Sequence, residues 1–228
     1  MGRAAGDHPA LRDMTAVDWP TYLDERSGLP GPRANLPLVA AAATCADDAA
    51  IDALLKDGGE YTTMCAAAAL GLRSDDAQAE ARARTLASDE RWRVREGVAI
   101  GLQMLGDHAF AHVERIVLDW VDDPDPLVQR AAVATICEPR LLGTPEAAAV
   151  AIRACRRATD RLSAMPTQRR KAPDARTLRQ ALGYCWSVAV AADPAAGMPA
   201  FRHLDSDDPD IAWIVNQNLR KKRLSRLL

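Results

Sequence analysis

The 228-residue chain is poor in aromatic side chains, which make up 4% of it, and it has no long apolar run. Its most apolar stretch, residues 36–46, is shorter than the roughly 20 residues that a helix needs to cross a bilayer. Asp7 and Asp13 lie near the N-terminus, where no apolar segment of a secretory signal is found. We therefore expect a soluble cytoplasmic protein without a membrane partner.

Paired cysteines and the common catalytic signatures are also missing. The five cysteines are odd in number and form no C-x-x-C pair: Cys45, Cys65, Cys137, Cys155 and Cys185. They lie mostly among Ala, Val and Ile, which favours small buried hydrophobic residues over disulfides or zinc ligands. The phosphate-binding, dinucleotide-binding, esterase and zinc-protease motifs do not occur. His108 and His112 have no third ligand on the same helix face, so we expect no metal and no small-molecule cofactor.

Alternating strand patterns are nearly absent as well, because Val and Ile occur within Ala-rich runs of helical spacing. The fold class is therefore predicted to be all-α. A turn-rich connector of Gly and Pro occupies residues 27–32, and Asn35 follows it as a predicted N-cap. We accordingly divide the chain into an N-terminal arm with its connector, residues 1–35, and one repeat domain, residues 36–228.

A helix opening rich in Asp and Pro recurs along that domain. Anchored on one apolar-stripe position per copy, the copies are separated by 32, 34, 50 and 35 residues, at Thr62, Val94, Val128, Leu178 and Trp213. Regular spacing of this size indicates helical hairpins that stack to bury a shared core. The long interval contains an Arg-rich segment, residues 165–173, which we predict to be an inserted loop.

The recurring pattern D-x-x-x-V-R-x-x-A/G, present over roughly residues 45–228, resembles the HEAT repeat family. The resemblance implies a right-handed α-solenoid, here of roughly five HEAT-like helical hairpins. It also implies that the helices opened by the motif line a concave surface. The resulting prediction is a binding module that holds a macromolecule, either protein or nucleic acid, on that surface.

Helical geometry predicts which residues face away from the core. With Val94 in the core, Trp92 and Glu96 lie roughly 200° around the helix from it, at about 100° per residue. Two residues after the anchor Val128, the same offset selects Arg130. Two residues after Leu178 it selects Gln180, and Tyr184 lies one helical turn further along. These side chains are predicted to share one surface. Two alternatives remain: the Trp92 ring packs on a partner helix, or Glu96 and Arg130 form an ion pair that sets the stacking of repeats.

The W-R-V-R-E segment from Trp92 to Glu96, with Arg130 and the pair Gly183-Tyr184, resembles the HEAT-like bacterial DNA glycosylases that remove alkylated purines. This resemblance implies that Glu96 stabilises positive charge on the sugar as the base leaves. It further implies that Trp92 and Tyr184 stack on the deoxyribose and that Arg130 holds phosphate. Glu and Tyr stand where that family has Asp and Trp.

The two halves of the chain carry opposite charge. Residues 1–125 hold 12 basic and 22 acidic side chains, whereas residues 126–228 hold 17 basic and 9 acidic ones. In the basic half we predict nucleic-acid contacts for Arg169, Arg170, Lys171 and Arg179. The alternatives are a solvated helix face and head-to-tail self-assembly of unlike halves.

Overall fold

The computed structural model describes residues 9–227, so Asp7 lies outside the described range. Within that range every regular element is helical, which confirms the predicted all-α class. None of the helices formed by residues 9–227 has the length and apolar character needed to span a membrane. The chain divides into two compact units, with the boundary between His108 and Ala109.

Seven helices belong to the first unit: α1 (Pro9–Arg12), α2 (Trp19–Glu25), α3 (Leu36–Cys45), α4 (Asp48–Asp57), α5 (Glu60–Leu72), α6 (Ala77–Ala87) and α7 (Trp92–Gly106). The second unit contains α8 (Phe110–Trp120), α9 (Pro126–Ile136), a 3-10 turn (Pro139–Leu141), α10 (Pro145–Ala164), α11 (Thr167–Arg170), α12 (Pro173–Ala192), α13 (Pro194–Arg202), α14 (Pro209–Leu219) and α15 (Lys222–Ser225). The predicted arm thus includes α1 and α2, whose residues Leu11, Trp19 and Leu23 are buried.

The long repeat interval has a different origin from the predicted loop. Both α10 and α12 contain 20 residues, and the connection between them holds the four-residue helix α11. The interval of 50 residues therefore reflects two lengthened helices in addition to the Arg-rich connection.

Acidic and amide side chains cap many of the helices, as the recurring openings predict. Asp125 accepts a hydrogen bond from the Leu127 amide, and Asp208 caps α14 in the same way. Asn35 accepts one from the Leu38 amide at 3.3 Å, which confirms the predicted N-cap of α3. The N-cap of α7 is instead Arg91. Its backbone N–H donates a hydrogen bond to the Asp89 carboxylate at 2.8 Å.

The N-caps define a common register for the repeating helices. The residue three positions after the cap is buried in four of them: Thr62, Val94, Val128 and Ile211. Trp213 is only half-buried, so the last sequence anchor was placed two residues too far along the chain. The helix is capped by Asp208 and begins at Pro209, so the position three residues after the cap is Ile211 and not Trp213.

The core of the first unit is built around α5, which contacts α3, α4, α6 and α7. Residues 61–71 are all buried, and most of them are alanine or other small residues. A Cβ atom added at Gly97 or Gly101 of α7 would overlap the backbone oxygen of Met64 or Ala68 of α5. The two helices therefore approach to backbone contact, which a glycine permits and a larger residue prevents.

The core of the second unit is built around α12, which contacts α9, α10, α13, α14 and α15. Buried Trp186 donates its indole N–H to the Thr159 hydroxyl at 3.0 Å. The fully buried Asn218 of α14 donates to the Leu182 carbonyl at 2.9 Å and accepts from the Ser187 amide at 2.8 Å. These bonds satisfy polar groups that water cannot reach, and they fix α14 against α12.

Replacing Gly101→Ala is expected to lower the free energy of unfolding by about 2 kcal/mol, because the overlap outweighs the better helix propensity of alanine. Urea denaturation followed by circular dichroism measures the change. Gly143→Ala is the matched control, since a Cβ there meets no atom within 4 Å, and it should cause no loss. Equal stability of the two variants would contradict the close approach of α5 and α7.

Candidate functional site

In the first unit, Trp92 and Glu96 lie at the start of α7 on the side opposite Val94. Trp92 is 54% exposed, whereas Val94 is fully buried. The Arg93 guanidinium lies 4.6 Å from the centre of the Trp92 ring and donates to Glu60 at 3.0 Å. The orientation agrees with the helical offset, and the exposure excludes burial of this ring in the core of the first unit.

In the second unit, Tyr184 of α12 is 43% exposed and is surrounded by cations. Arg223 donates to the Tyr184 hydroxyl at 2.8 Å, and its guanidinium carbon lies 4.9 Å from the ring centre. The ammonium of Lys221 lies 5.6 Å from the same centre. Both contacts are within the range of cation–π attraction, so α15 brings positive charge to an aromatic ring that solvent still reaches.

Arg130 of α9 lies in the same neighbourhood of the second unit. The thiol of Cys185, which directly follows Tyr184, has a raised pKa because of its hydrogen bond with Cys137 and its burial. The positive charges of Arg130 and Arg223 partly oppose this increase in the pKa of Cys185, which stays raised overall. Two guanidinium groups from different helices therefore approach the segment of α12 that carries Tyr184.

Trp213 of α14 is equivalent in position to two of the predicted site residues, although the sequence anchors place it in the apolar stripe. Counted from the N-caps, it occupies the position that Glu96 and Arg130 occupy in α7 and α9, five residues after the cap. Its ring lies across Gly183, where an added Cβ would be 2.8 Å from the ring atom Cζ3. Aligning Asp208-Pro209 with Asp125-Pro126 would have revealed this equivalence.

Besides Arg130, four cations between residues 169 and 179 are predicted to contact nucleic acid, and three of these four are engaged by carboxylates. Arg169 donates to Asp174 at 2.6 Å, and the hydrogen bond holds the pKa of that carboxyl below its usual range. Arg179 pairs with Asp210 and lies 4.8 Å from the centre of the Trp213 ring. Lys171 is exposed and forms no ion pair within residues 9–227.

Arg170 has the most internal position of the four, with 13% of its side chain exposed. It donates to the Met165 carbonyl at 2.9 Å, to the Ser163 carbonyl and to the carboxylate of Asp208. Burial acts to raise the pKa of Asp208, but the hydrogen bonds from Arg170 and two backbone amides lower it on balance. Arg170 thus joins the connection after α10 to the N-cap of α14.

The four arginines of α10 also have carboxylate partners: Arg153 pairs with Glu114, Arg156 pairs with Asp160, and Arg157 and Arg161 share Asp122. A different situation holds at the end of the chain. Five side chains there form no ion pair with a carboxylate of the described residues: Arg220, Lys221, Lys222, Arg223 and Arg226. We refer to these five residues as the C-terminal basic cluster.

A cavity of about 410 Å³ lies beside this cluster, and its volume is within the range of small-molecule pockets. Its lining consists of Pro139, Leu142, Val188, Ala191, Ala192 and Arg223. Close to this region, the thiols of Cys137 and Cys155 are buried with their sulfur atoms 3.6 Å apart. Cys65, Cys137, Cys155 and Cys185 are buried free thiols, as the sequence predicts, and Cys45 is half-buried.

Among residues 9–227, no group of three or more His, Cys, Asp or Glu side chains has a geometry that could hold a metal ion. Comparisons with protein-family models, with curated proteins and with solved structures give no match to this chain.

Replacing Arg170→Met is expected to lower the free energy of unfolding by about 3 kcal/mol at pH 7, because it leaves a shielded carboxylate without its partner. The folded-state pKa of Asp208 lies below its ordinary value of 3.8. Its contribution is therefore present above pH 3.8 and is lost as the pH falls through the folded-state value. The difference in free energy of unfolding between wild type and variant, measured by urea denaturation, should therefore decrease as the pH is lowered from 7 to below 3.8.

The matched control is Arg176→Met, because Arg176 is exposed and has no carboxylate partner in the described chain. We expect it to change the free energy of unfolding by less than about 0.5 kcal/mol, both at pH 7 and below pH 3.8. An Arg170 variant as stable as this control at pH 7 would contradict the structural role.

Proposed function

We propose that the protein is a nucleic-acid-binding module that acts through the second unit, with Tyr184, Arg130 and the C-terminal basic cluster as its contact surface. One observation carries this proposal. Cations that have no carboxylate partner in the described chain lie beside an exposed aromatic ring, while most arginines of α10 to α12 are already paired.

The electrostatic part of the proposal follows from the pairing. A phosphate backbone attracts side chains whose charge has not been neutralised, and binding releases counterions. Arg223 offers a planar donor group that suits phosphate oxygens. Arg170, Arg169 and Arg179 would have to leave Asp208, Asp174 and Asp210 to do the same. The proposed surface therefore excludes these three and keeps Lys171 as a peripheral cation.

The aromatic part of the proposal favours nucleic acid over an acidic protein. A half-exposed tyrosine between cations offers a face on which a base stacks while phosphates contact the cations. An acidic protein surface would satisfy the cations but would not require the ring. Absence of DNA binding by the wild type in the experiment below would therefore contradict the nucleic-acid proposal.

We expect the triple variant Lys221→Gln, Lys222→Gln, Arg223→Gln to bind DNA more weakly than the wild type. Loss of three phosphate contacts should make the slope of log affinity against log salt concentration shallower by about 2.7. Fluorescence anisotropy with a short labelled DNA duplex, at several salt concentrations, measures both the affinity and its salt dependence.

The matched control replaces three cations that are already paired: Arg153→Gln, Arg156→Gln and Arg157→Gln. Its slope should differ from that of the wild type by less than one phosphate contact, about 0.9. Equal loss in both triple variants would contradict a local surface. Salt-sensitive oligomers without DNA binding would favour the self-assembly alternative.

A second candidate function is excision of alkylated bases from DNA, as in the HEAT-like glycosylases. The observation that favours it is the exposure of Trp92, with Glu96 one turn further along α7. A carboxylate beside an aromatic face suits positive charge that develops on a sugar. In this function Glu96 acts as the electrostatic residue and Trp92 lies against the sugar.

Glu96→Gln tests this candidate, because the amide keeps the size of the side chain and removes its charge. We expect release of methylated purines from alkylated DNA to fall by at least about 100-fold, while DNA affinity is retained. The matched control is Glu80→Gln on α6 of the same unit. If the wild type releases no base, or if Glu96→Gln releases it at the wild-type rate, the second candidate is wrong.

A further inference from the structure

The cavity beside the C-terminal basic cluster is lined almost wholly by hydrocarbon. Of its lining residues, Leu142 and Val188 are buried, whereas Ala191 and Ala192 are exposed at the end of α12. Of the described residues that line it, Arg223 alone has a polar side chain. Such a cavity suits a flat apolar ring better than a charged or strongly hydrated group.

Arg223 connects this cavity with the proposed phosphate surface. The same side chain lines the cavity and donates to the Tyr184 hydroxyl at 2.8 Å. Val188 lies one helical turn beyond Tyr184 on α12, so the ring and the cavity follow each other along one helix. A group held on Arg223 through an anion is therefore adjacent to both the aromatic face and the apolar space.

We propose that the cavity receives one unstacked base of single-stranded nucleic acid, with a neighbouring phosphate on Arg223 and an adjacent base against Tyr184. This inference rests on the proposed nucleic-acid function and adds a preference for single strands. The bases of an intact duplex are stacked and paired, and extruding one of them costs free energy that a single strand does not have to supply.

The chemistry of the lining also predicts little sequence preference. Reading a base requires donors and acceptors at its edges, and among the residues that line the cavity only Arg223, which the proposal places on phosphate, has a side chain that supplies donors. Any base has an apolar face that Leu142, Val188 and the two alanines can cover. The site therefore recognises the single-stranded state rather than a particular sequence.

The experiment compares a single-stranded oligonucleotide that contains one 2-aminopurine with the matching duplex. We expect the full-length protein to bind the single strand about tenfold more tightly, since one stacked base contributes a factor of roughly 5 to 150. The emission of 2-aminopurine should change on binding, because the base exchanges its neighbours for the cavity. Ala191→Phe fills the cavity, so it should remove both the tenfold preference and the emission change while duplex affinity stays the same.

The matched control is Ala149→Phe, which adds the same ring at an exposed position of α10 outside the cavity. It should behave as the wild type, and circular dichroism checks that both variants are folded. Equal affinity for single strand and duplex, or an unchanged preference in Ala191→Phe, would overturn the inference while leaving nucleic-acid binding intact. Absence of binding to both DNAs at low salt would instead overturn the proposed function together with it.

Discussion

The pairing of arginines with carboxylates inside the second unit determines where that unit can attract an anionic partner. Arg170 joins the connection after α10 to Asp208 at the start of α14, and Arg179 joins α12 to Asp210 of the same helix. These pairs use positive charge to hold helices in place. The C-terminal basic cluster has no carboxylate partner among residues 9–227, and its Lys221 and Arg223 lie beside Tyr184.

Small residues in the cores have a related consequence for the surfaces. In the first unit, α5 and α7 touch through Gly97 and Gly101, so the interior has no room for large side chains on their facing sides. Trp92 is accordingly directed outward at the beginning of α7. In the second unit, Gly183 makes space for the ring of Trp213, and Tyr184 is left exposed on the next position of α12. A composition poor in aromatics thus still presents several of them to solvent.

Arg223 has two neighbours of opposite character, an aromatic hydroxyl and an apolar cavity. A cation in this position can hold a phosphate without filling the space beside it. Single-stranded nucleic acid has the complementary arrangement, since each phosphate is followed by a base that is not committed to a partner strand. The physical basis of the proposed preference for single strands is therefore that one cation lies next to one apolar cavity. The total charge of the chain is not its basis.

The sequence by itself determined the features that depend on neighbours within about one helical turn. These are the all-α class, the cap at Asn35, the helix openings rich in Asp and Pro, and the outward orientation of Trp92 and Tyr184, because helical periodicity and capping are local. The tertiary structure alone decided which arginines are neutralised and where the cavity lies. Arg170 and Asp208 are 38 positions apart, and Tyr184 and Arg223 are 39 apart, so no local pattern relates them. Charge counting points to Arg169, Arg170, Lys171 and Arg179, whereas long-range packing pairs the three arginines of this set with Asp174, Asp208 and Asp210.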